Sequence, residues 1–231
     1  MAKLTVKCLP PCSGRTLIIG DIHGCADELE TLLDAFSARK EDRIIAAGDL
    51  INRGPDSVGV LKLVRKHAIE PILGNHEMRL LKAWQKDKSS LLKSKDKPSF
   101  KKLSETDWKW IETWPHVLEI PSLKTLVVHG GFAQGVAWKK QDPEIVTRIQ
   151  VLDKKGLPAK RSDAPSGRPW AESWSGPEHV YYGHTPRPHP LFHPFATGLD
   201  TGCLYGYTLT GISLPEKEIF RVHARKNYVD G

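Results

Sequence analysis

The sequence contains no apolar run that approaches 18 residues, and its N-terminus carries no hydrophobic stretch. A membrane-spanning helix needs about 20 consecutive apolar residues, and a secretory signal needs a continuous apolar region near the start of the chain. We therefore expect no membrane span, no signal peptide and no membrane partner.

Cysteine is also scarce, with only Cys8, Cys12, Cys25 and Cys203 in 231 residues. So few cysteines in a chain of this length are typical of reduced thiols, and we expect a cytoplasmic protein. Cys8 and Cys12 are too few for a tetrahedral zinc site, and no histidine lies near them.

Acidic residues are outnumbered, because 27 Asp and Glu face 34 Lys and Arg, which gives a formal net charge of +7. This excess favours anionic partners, namely phosphorylated small molecules, polyphosphate or nucleic acid. A chain of this length can bury roughly 70–75% of its unfolded surface without disulfide or metal staples. We therefore predict one domain over residues 1–231.

Five short apolar segments each end at glycine or histidine beside polar side chains that can bind metals. The most informative ending is Gly48-Asp49-Leu50-Ile51-Asn52-Arg53-Gly54-Pro55. The others are Gly20-Asp21-Ile22-His23-Gly24, Gly74-Asn75-His76-Glu77, His129-Gly130-Gly131 and Gly183-His184-Thr185. One such aspartate is usually a helix cap, and one such histidine is usually a satisfied polar group. Five coincident endings instead favour shared coordination of Mn, Fe, Zn or Co at the carboxyl edge of a sheet.

In this order the motifs resemble the phosphoprotein-phosphatase branch of the calcineurin-like metallophosphatases, and the resemblance spans residues 16–185. Protein Ser/Thr phosphatases of that family usually have aspartate where this chain has Asn52. The symmetrical diadenosine tetraphosphatases and the ApaH-like phosphatases also depart from this aspartate at the same position. Because residues 198–203 and 205–210 also resemble that subgroup, the chain is identified as similar to the ApaH-like phosphatases.

Apolar periodicity predicts an α/β fold class with a βαβαβ core. We expect strands at about 16–19, 43–47, 70–73 and 125–128, with amphipathic helices after the first two. In the final third we expect antiparallel strands at about 180–182, 196–199, 204–214 and 218–223, and residues 1–15 are expected to be a short lead-in. The predicted architecture is a two-sheet sandwich flanked by helices, and the resemblance implies the calcineurin-like metallophosphatase β-sandwich.

Residues 79–118 are expected to form a basic helical lid or loop beside the site, as the resemblance implies. Within this lid, residues 85–102 carry seven lysines against two aspartates. Such a segment is either a solvated surface or a basic rim that attracts a polyanion. Trp108, Trp110 and Trp114 follow it and are more typical of a core than of a ligand platform.

The resemblance implies two divalent metal ions bridged by one carboxylate. The six implied ligands are Asp21, His23, Asp49, Asn75, His129 and His184. Asp49 would be the bridge, with Asp21 and His23 on the first ion and the remaining three ligands on the second. Manganese is the metal that we expect first, with Fe, Zn or Co as alternatives. A water held between two ions about 3.5–4 Å apart ionises near neutral pH and attacks phosphorus in line.

The resemblance also implies catalytic roles for His76 and Arg53, with His76 protonating the leaving oxygen and Arg53 gripping phosphate oxygens. Asn52 is expected to accept a hydrogen bond from His76 without adding the charge that an aspartate would supply. Weaker acid assistance suits a leaving group that is already good. Asn52 therefore favours phosphoanhydrides, although it does not exclude aryl phosphates such as phosphotyrosine.

Arg187 and Arg168 are candidates for a second phosphate contact, and each fits a surface arginine equally well. Asp200 fits either an acceptor behind a metal-bound histidine or a turn residue.

The favoured function is a hydrolase of phosphoanhydrides such as dinucleoside tetraphosphates. The alternatives are a protein phosphatase acting on Ser, Thr or Tyr, a polyphosphatase and an RNA-cap hydrolase. The partner is thus a nucleotide, polyphosphate or phosphoprotein, and capped RNA would bring in a nucleic acid. A non-catalytic RNA-binding module is disfavoured, because the six ligands occur together with His76 and Arg53.

Overall fold

The computed structural model of the chain describes residues 3–229. Its strands are β1 (Val6–Cys8), β2 (Thr16–Ile19), β3 (Arg43–Ala46), β4 (Glu70–Pro71), β5 (Val117–Ile120), β6 (Thr125–Val128), β7 (Val151–Leu152), β8 (Pro158–Ala159), β9 (Arg168–Pro169), β10 (His179–Tyr182), β11 (Leu191–His193), β12 (Ala196–Gly198), β13 (Thr208–Leu214) and β14 (Glu218–His223). Its helices are α1 (Ala26–Phe36), α2 (Ser57–Lys66), α3 (Asn75–Gln85), α4 (Lys97–Lys102), α5 (Glu105–Ile111) and α6 (Pro143–Val146).

Two sheets form the centre of the fold. The first has the strand order β1-β5-β6-β10-β12-β11, and the second has the order β14-β13-β2-β3-β4. In the second sheet, β2, β3 and β4 are parallel and are connected through α1 and α2, which confirms the predicted βαβαβ run. A small sheet of β8, β7 and β9 lies apart from these two.

The side chains of β2 show how the layers pack. Leu17 and Ile19 belong to the same hydrophobic cluster as Leu29 of α1. Ile18, which points the other way, belongs to the cluster that reaches Val127 of the first sheet. Because successive residues of a strand face opposite sides, β2 contacts helices on one face and the second layer on the other. The predicted α/β sandwich flanked by helices is therefore confirmed.

Some strand predictions are wrong. We expected antiparallel strands at 180–182 and 196–199, but β10 pairs in parallel with β12 and with β6. The antiparallel partner of β12 is β11, which no clear apolar alternation marks in the sequence. The strand expected from 204 begins only at Thr208, because Cys203–Tyr205 form a 3-10 turn.

The expectation that residues 1–15 form only a short lead-in is also wrong. Residues 1 and 2 of this range lie outside the described part of the chain. The range contains β1, which pairs in parallel with β5. All of β1 is exposed, so its sequence lacks the apolar pattern that would indicate a strand.

The region expected as a lid starts inside α3, and its last residues, 117 and 118, belong to β5. Trp108 and Trp114 are buried in the cluster that covers the second sheet, which confirms the preference for a core role. Within residues 3–229, no helix combines the length and the apolar character needed to cross a membrane.

Leu32 lies on the buried face of α1 and is fully removed from solvent. Leu32→Ala deletes buried methyl groups and leaves a cavity, so we expect the free energy of unfolding to fall by about 2–5 kcal/mol. Glu30→Ala, at an exposed position of the same helix, should change it by less than about 0.5 kcal/mol. Urea denaturation followed by tryptophan fluorescence measures both, and equal stability of the two variants would contradict this packing.

Candidate active site

The polar endings of the strands converge on one edge of the sandwich. β2 leads into Asp21, β3 into Asp49, β6 into His129 and β10 into His184, while α3 begins at Asn75. Backbone hydrogen bonds join the loops, since the Ile22 amide donates to the Asp49 carbonyl and the Gly183 amide donates to the His129 carbonyl. The five motifs therefore meet at one site.

The candidate ligand atoms lie close together around Asp49. Its Oδ2 is 3.2 Å from His129 Nε2 and 3.6 Å from His23 Nε2. His23 Nε2 is in turn 3.9 Å from Asp21 Oδ2, and His129 Nε2 is 3.2 Å from Asn75 Oδ1. The ligand atoms of Asp49, His129 and His184 lie within 4.8 Å of one another, so the structure brings all six predicted ligands together.

Two histidines are held by backbone carbonyl groups. His129 Nδ1 lies 2.9 Å from the Ala47 carbonyl oxygen, and His184 Nε2 lies 3.0 Å from that of Arg148. Each ring donates its N–H to the carbonyl, which leaves Nε2 of His129 and Nδ1 of His184 as the nitrogens that could bind a cation in place of a proton. Such a contact to the second nitrogen is typical of metal-binding histidine.

The glycines of the motifs leave room for the carboxylates. A Cβ on Gly74 would meet Asp49 Oδ1 at 2.2 Å, and one on Gly183 would meet Asp21 Oδ1 at 2.0 Å. Real Cβ atoms do not approach other atoms so closely, so both positions require glycine. The two carboxylates thus occupy space that any larger residue would fill.

Five residues of the same loops have strained backbone angles. His23, Asp49, Asn52, Arg53 and His184 all have φ between 49° and 81°. Residues other than glycine rarely adopt such angles, and each costs on the order of 1–3 kcal/mol. The surrounding fold holds these side chains in orientations that relaxed loops would not select.

The electrostatics of the site favour added positive charge. Burial and the nearby charge of Asp200 raise the pKa of Asp21 well above its usual range. Burial would also raise the pKa of Asp49, but His129 and His76 hold it well below its usual range. Burial opposes the charge on His129, yet Asp49 and Asp21 raise its pKa to about 10. These buried carboxylates draw positive charge onto an imidazole, and divalent cations would supply it without a proton, so the donor set fits metal ions.

Glu77 holds the loops in place, a role that the sequence analysis missed. Its side chain is fully buried and accepts the backbone N–H groups of Asp49, Ile51 and Gly74 at 2.9, 3.0 and 2.9 Å. Burial and the charge of Asp49 raise its pKa to about 7. The available signal was the acid itself, which stands in the motif Gly74-Asn75-His76-Glu77 two residues after the predicted ligand Asn75.

The contact between Asn52 and His76 differs from expectation. Asn52 Nδ2 lies 2.8 Å from His76 Nδ1 and 2.8 Å from Asp96 Oδ1, while its Oδ1 accepts the Arg53 N–H at 2.9 Å. A carboxylate can only accept, so the Asn52 amide donates to Asp96 and also donates to His76, instead of accepting from it. Burial lowers the pKa of His76, and the proton of the neutral ring sits on Nε2, 4.0 Å from Asp49 Oδ2.

Asp96 is a second residue that the sequence analysis missed. It lies in the lysine-rich segment but is buried, and it accepts hydrogen bonds from Arg79 Nε at 2.9 Å and from Arg79 Nη2 at 2.8 Å. Burial opposes its charge, but the contacts with Arg79 and Asn52 lower its pKa to about 2. All seven lysines of residues 85–102 are exposed. The contacts of Asp96 with Arg79 and Asn52 nevertheless hold this segment against the site.

The candidate phosphate-binding arginines differ in their placement. Arg53 follows Asn52 and donates from Nη1 to the Tyr205 hydroxyl at 3.2 Å. The Arg187 amide donates to the Asp200 carbonyl at 3.1 Å, which positions its backbone next to a buried acid of the site. Arg168 is exposed and donates to Gln134 Oε1 at 2.9 Å, and no contact within residues 3–229 joins it to the predicted ligands.

The fold and the donor set define a metal-dependent phosphohydrolase, and comparisons agree. The family described as calcineurin-like phosphoesterase matches residues 14–198. The chain therefore belongs to the calcineurin-like phosphoesterase family. It is a hydrolase that acts on phosphoester or phosphoanhydride bonds, which confirms the predicted enzyme class. This family implies divalent metal ions and a phosphorylated, anionic substrate.

Individual relatives cover nearly the whole chain. The asymmetrical bis(5'-nucleosyl)-tetraphosphatase PrpE of Oceanobacillus iheyensis is 30% identical over 92% of this chain and 93% of the relative. A symmetrical bis(5'-nucleosyl)-tetraphosphatase of Coxiella burnetii is 29% identical over 90% of this chain and 91% of the relative. A solved structure named "Crystal structure of a putative diadenosine tetraphosphatase" has a TM-score of 0.85 and 35% identity, covering 96% of this chain and 98% of that chain.

Glu77→Ala should strip three buried N–H groups of their acceptor. Leaving buried donors unpaired costs about 1–3 kcal/mol each, so we expect the free energy of unfolding to fall by at least about 3 kcal/mol. Glu112→Ala, at an exposed position, should have little effect. Denaturation in the presence of a chelator measures the loss separately from metal binding, and a Glu77→Ala variant of parental stability would contradict this role.

Proposed function

We propose that the chain hydrolyses the phosphoanhydrides of dinucleoside polyphosphates, with dinucleoside tetraphosphates as substrates. Support comes from the relatives, since both an asymmetrical and a symmetrical bis(5'-nucleosyl)-tetraphosphatase align along more than nine-tenths of their length. The net charge of +7 suits such polyanions. We further propose one domain over residues 1–231 and a cytoplasmic location, which the four free cysteines support.

The proposed metal centre uses the six converging side chains. They are Asp21, His23, Asp49, Asn75, His129 and His184. We propose manganese as the metal, with Fe, Zn or Co as alternatives, because the donors are oxygens and imidazole nitrogens. When bound, two such ions supply positive charge that neutralises phosphate and lowers the pKa of water.

The hydrogen bond from Asn52 to His76 is the observation that carries the choice of bond cleaved. It leaves the proton of a neutral imidazole on Nε2, on the side of Asp49, where His76 can hydrogen-bond to a leaving oxygen without giving up that proton. Because an amide and not a carboxylate contacts its Nδ1, the ring gains no extra positive charge. A neutral hydrogen-bond donor suits a leaving phosphate or nucleotide better than an alkoxide, which must gain a proton.

Arg53 is proposed to bind the phosphate group with its planar guanidinium, part of which the Tyr205 hydroxyl orients. Arg187 is proposed as a further phosphate contact. The hydrogen bond from its backbone N–H to the Asp200 carbonyl supports this role, because it holds Arg187 near the site. Arg168 would reach only a distal part of a long substrate, because its side chain is exposed beside Gln134.

A substrate panel tests the proposal. Dinucleoside tetraphosphate, inorganic polyphosphate, capped RNA and phosphopeptides are each assayed with Mn, Co, Zn and Mg. We expect the highest kcat/KM for dinucleoside tetraphosphate with Mn. A higher kcat/KM for polyphosphate, capped RNA or a phosphopeptide would replace the proposed substrate with that class.

Asp49→Asn should remove the charge on which the metal centre depends. We expect turnover to fall by about 10³-fold, the scale associated with loss of a main electrostatic stabiliser. Asp34→Asn, at an exposed position of α1, is the matched control and should retain parental turnover. Chelation should abolish activity, and Mn should restore it in the control alone. Near-normal turnover in Asp49→Asn would mean that Asp49 does not hold the metals.

A charge swap tests the role of Asn52. Asn52→Asp alone would place a carboxylate against Asp96, and the two like charges would repel. The double variant Asn52→Asp/Asp96→Asn keeps one carboxylate and moves it directly onto His76. We expect the double variant to raise kcat/KM for an alkyl phosphate about tenfold relative to dinucleoside tetraphosphate, because only the alkoxide needs a stronger acid.

Asp87→Asn, an exposed change in the same segment, controls for altered surface charge. An unchanged ratio of the two specificity constants in the swapped variant would show that the residue at position 52 does not set leaving-group preference.

A further inference from the structure

A cleft opens beside Arg53, outside the metal centre. Its volume is about 200 Å³, and it is lined by Arg53, Lys95, Pro98, Tyr228 and Val229. Two segments far apart in sequence form it, namely the lysine-rich segment and the C-terminal segment. Pockets that enclose a whole small ligand usually measure about 300–1,000 Å³, so this cleft suits part of a larger ligand.

Arg53 connects the cleft to the reaction centre. It directly follows Asn52, which contacts His76, and its own φ of 71° turns the chain at this point. Its guanidinium donates to the uncharged Tyr205 hydroxyl, and in the described part of the chain it forms no ion pair with an acid. Because Arg53 is proposed to bind the reacting phosphate, a ligand that fills the cleft would lie beside that phosphate.

Lys95 adds a second positive charge to the cleft. Its neighbour Asp96 turns inward to Arg79 and Asn52, which fixes the backbone of this turn while the Lys95 side chain stays exposed. Among residues 3–229, no carboxylate lies within ion-pair distance of Lys95. Two cations that have no acidic partner among residues 3–229 face one small cleft, which favours the phosphates of a ligand.

Tyr228 adds an aromatic ring that is held at both ends. Its hydroxyl donates to Glu28 Oε1 at 2.7 Å, and its backbone N–H donates to the Leu204 carbonyl at 3.0 Å. Glu28 is itself buried, so the anchor is fixed. An aromatic ring that is already held in position can stack on any nucleobase, because every base has a flat π-face.

We propose that this cleft is the subsite for the nucleotide next to the scissile phosphate. Arg53 and Lys95 bind its phosphates, and Tyr228, with Pro98, binds its nucleoside. Two cations alone would serve inorganic polyphosphate equally well, whereas the anchored ring favours a nucleoside polyphosphate. The inference rests on the proposed function, because it identifies which part of the substrate this site recognises.

Inhibition of aryl phosphate hydrolysis tests the subsite without requiring dinucleotide cleavage. The probes are adenosine diphosphate and inorganic pyrophosphate, each measured as an inhibition constant in the Mn-loaded enzyme. Tyr228→Ala should weaken inhibition by adenosine diphosphate about tenfold or more and leave that by pyrophosphate within about twofold. Lys95→Ala should weaken both by about fivefold, an effect that high salt should reduce.

Three further variants complete the test. Lys97→Ala and Tyr207→Ala change exposed residues outside the cleft and should leave both inhibition constants unchanged. Tyr228→Phe removes the hydroxyl anchor but keeps the ring, so it should retain most of the inhibition by adenosine diphosphate. If Tyr228→Ala does not fold, Tyr228→Leu and Lys95→Glu address the same two contacts.

The outcomes separate the subsite from the proposed function. Losses in the Lys95 and Tyr228 variants no larger than in their controls would overturn the subsite. Equal loss for both probes in Tyr228→Ala would overturn the nucleoside contact. Selective loss of adenosine diphosphate binding in an enzyme that fails to cleave dinucleoside tetraphosphate would support the subsite and refute the proposed substrate.

Discussion

The buried charge of Asp49 is the constraint on which the site depends. A carboxylate removed from water is strongly unfavourable unless other groups compensate it. The chain surrounds this one with imidazoles and with the backbone N–H of His76, which donates to Asp49 Oδ1 at 2.8 Å. Glu77 fixes the backbone on either side of it. Because these groups come from distant parts of the sequence, the position of one carboxylate requires both sheets to be correctly packed.

A second carboxylate organises the chemistry around His76. Asp96 does not touch His76, but it determines which way the Asn52 amide points, and the amide determines which ring nitrogen carries the proton. Arg79 neutralises Asp96 and also lies 3.3 Å from His76 Nδ1. The negative charge of Asp96 is thus kept one residue away from Nδ1 of the ring, while hydrogen bonding still orients the ring.

The sequence predicts the parts of the molecule that depend on local pattern. Alternating and helical apolar spacing located β2, β3, α1 and α2, and the five motif endings located side chains that converge at one site. The direction of β12 was not predictable, because a parallel or antiparallel partner is chosen by tertiary packing and β11 has no strong pattern. The role of Asp96 was hidden for a similar reason. Its neighbours Lys93, Lys95 and Lys97 are exposed, whereas the buried aspartate contacts Arg79 and Asn52, which are 17 and 44 residues away in the chain.

The two parts of the lysine-rich segment differ in how well they tolerate insertions and deletions. Residues 86–91 are exposed, so insertions or deletions there would alter surface loops at little energetic cost. From Lys93 onward the register is fixed, because Asp96 caps its own turn through the Lys93 amide while reaching Arg79 and Asn52. A change of chain length after that point would displace a proton-orienting contact and a cationic side chain together. Divergence of substrate preference through this segment is therefore restricted to side-chain replacement, whereas the stretch before it is free to vary in length.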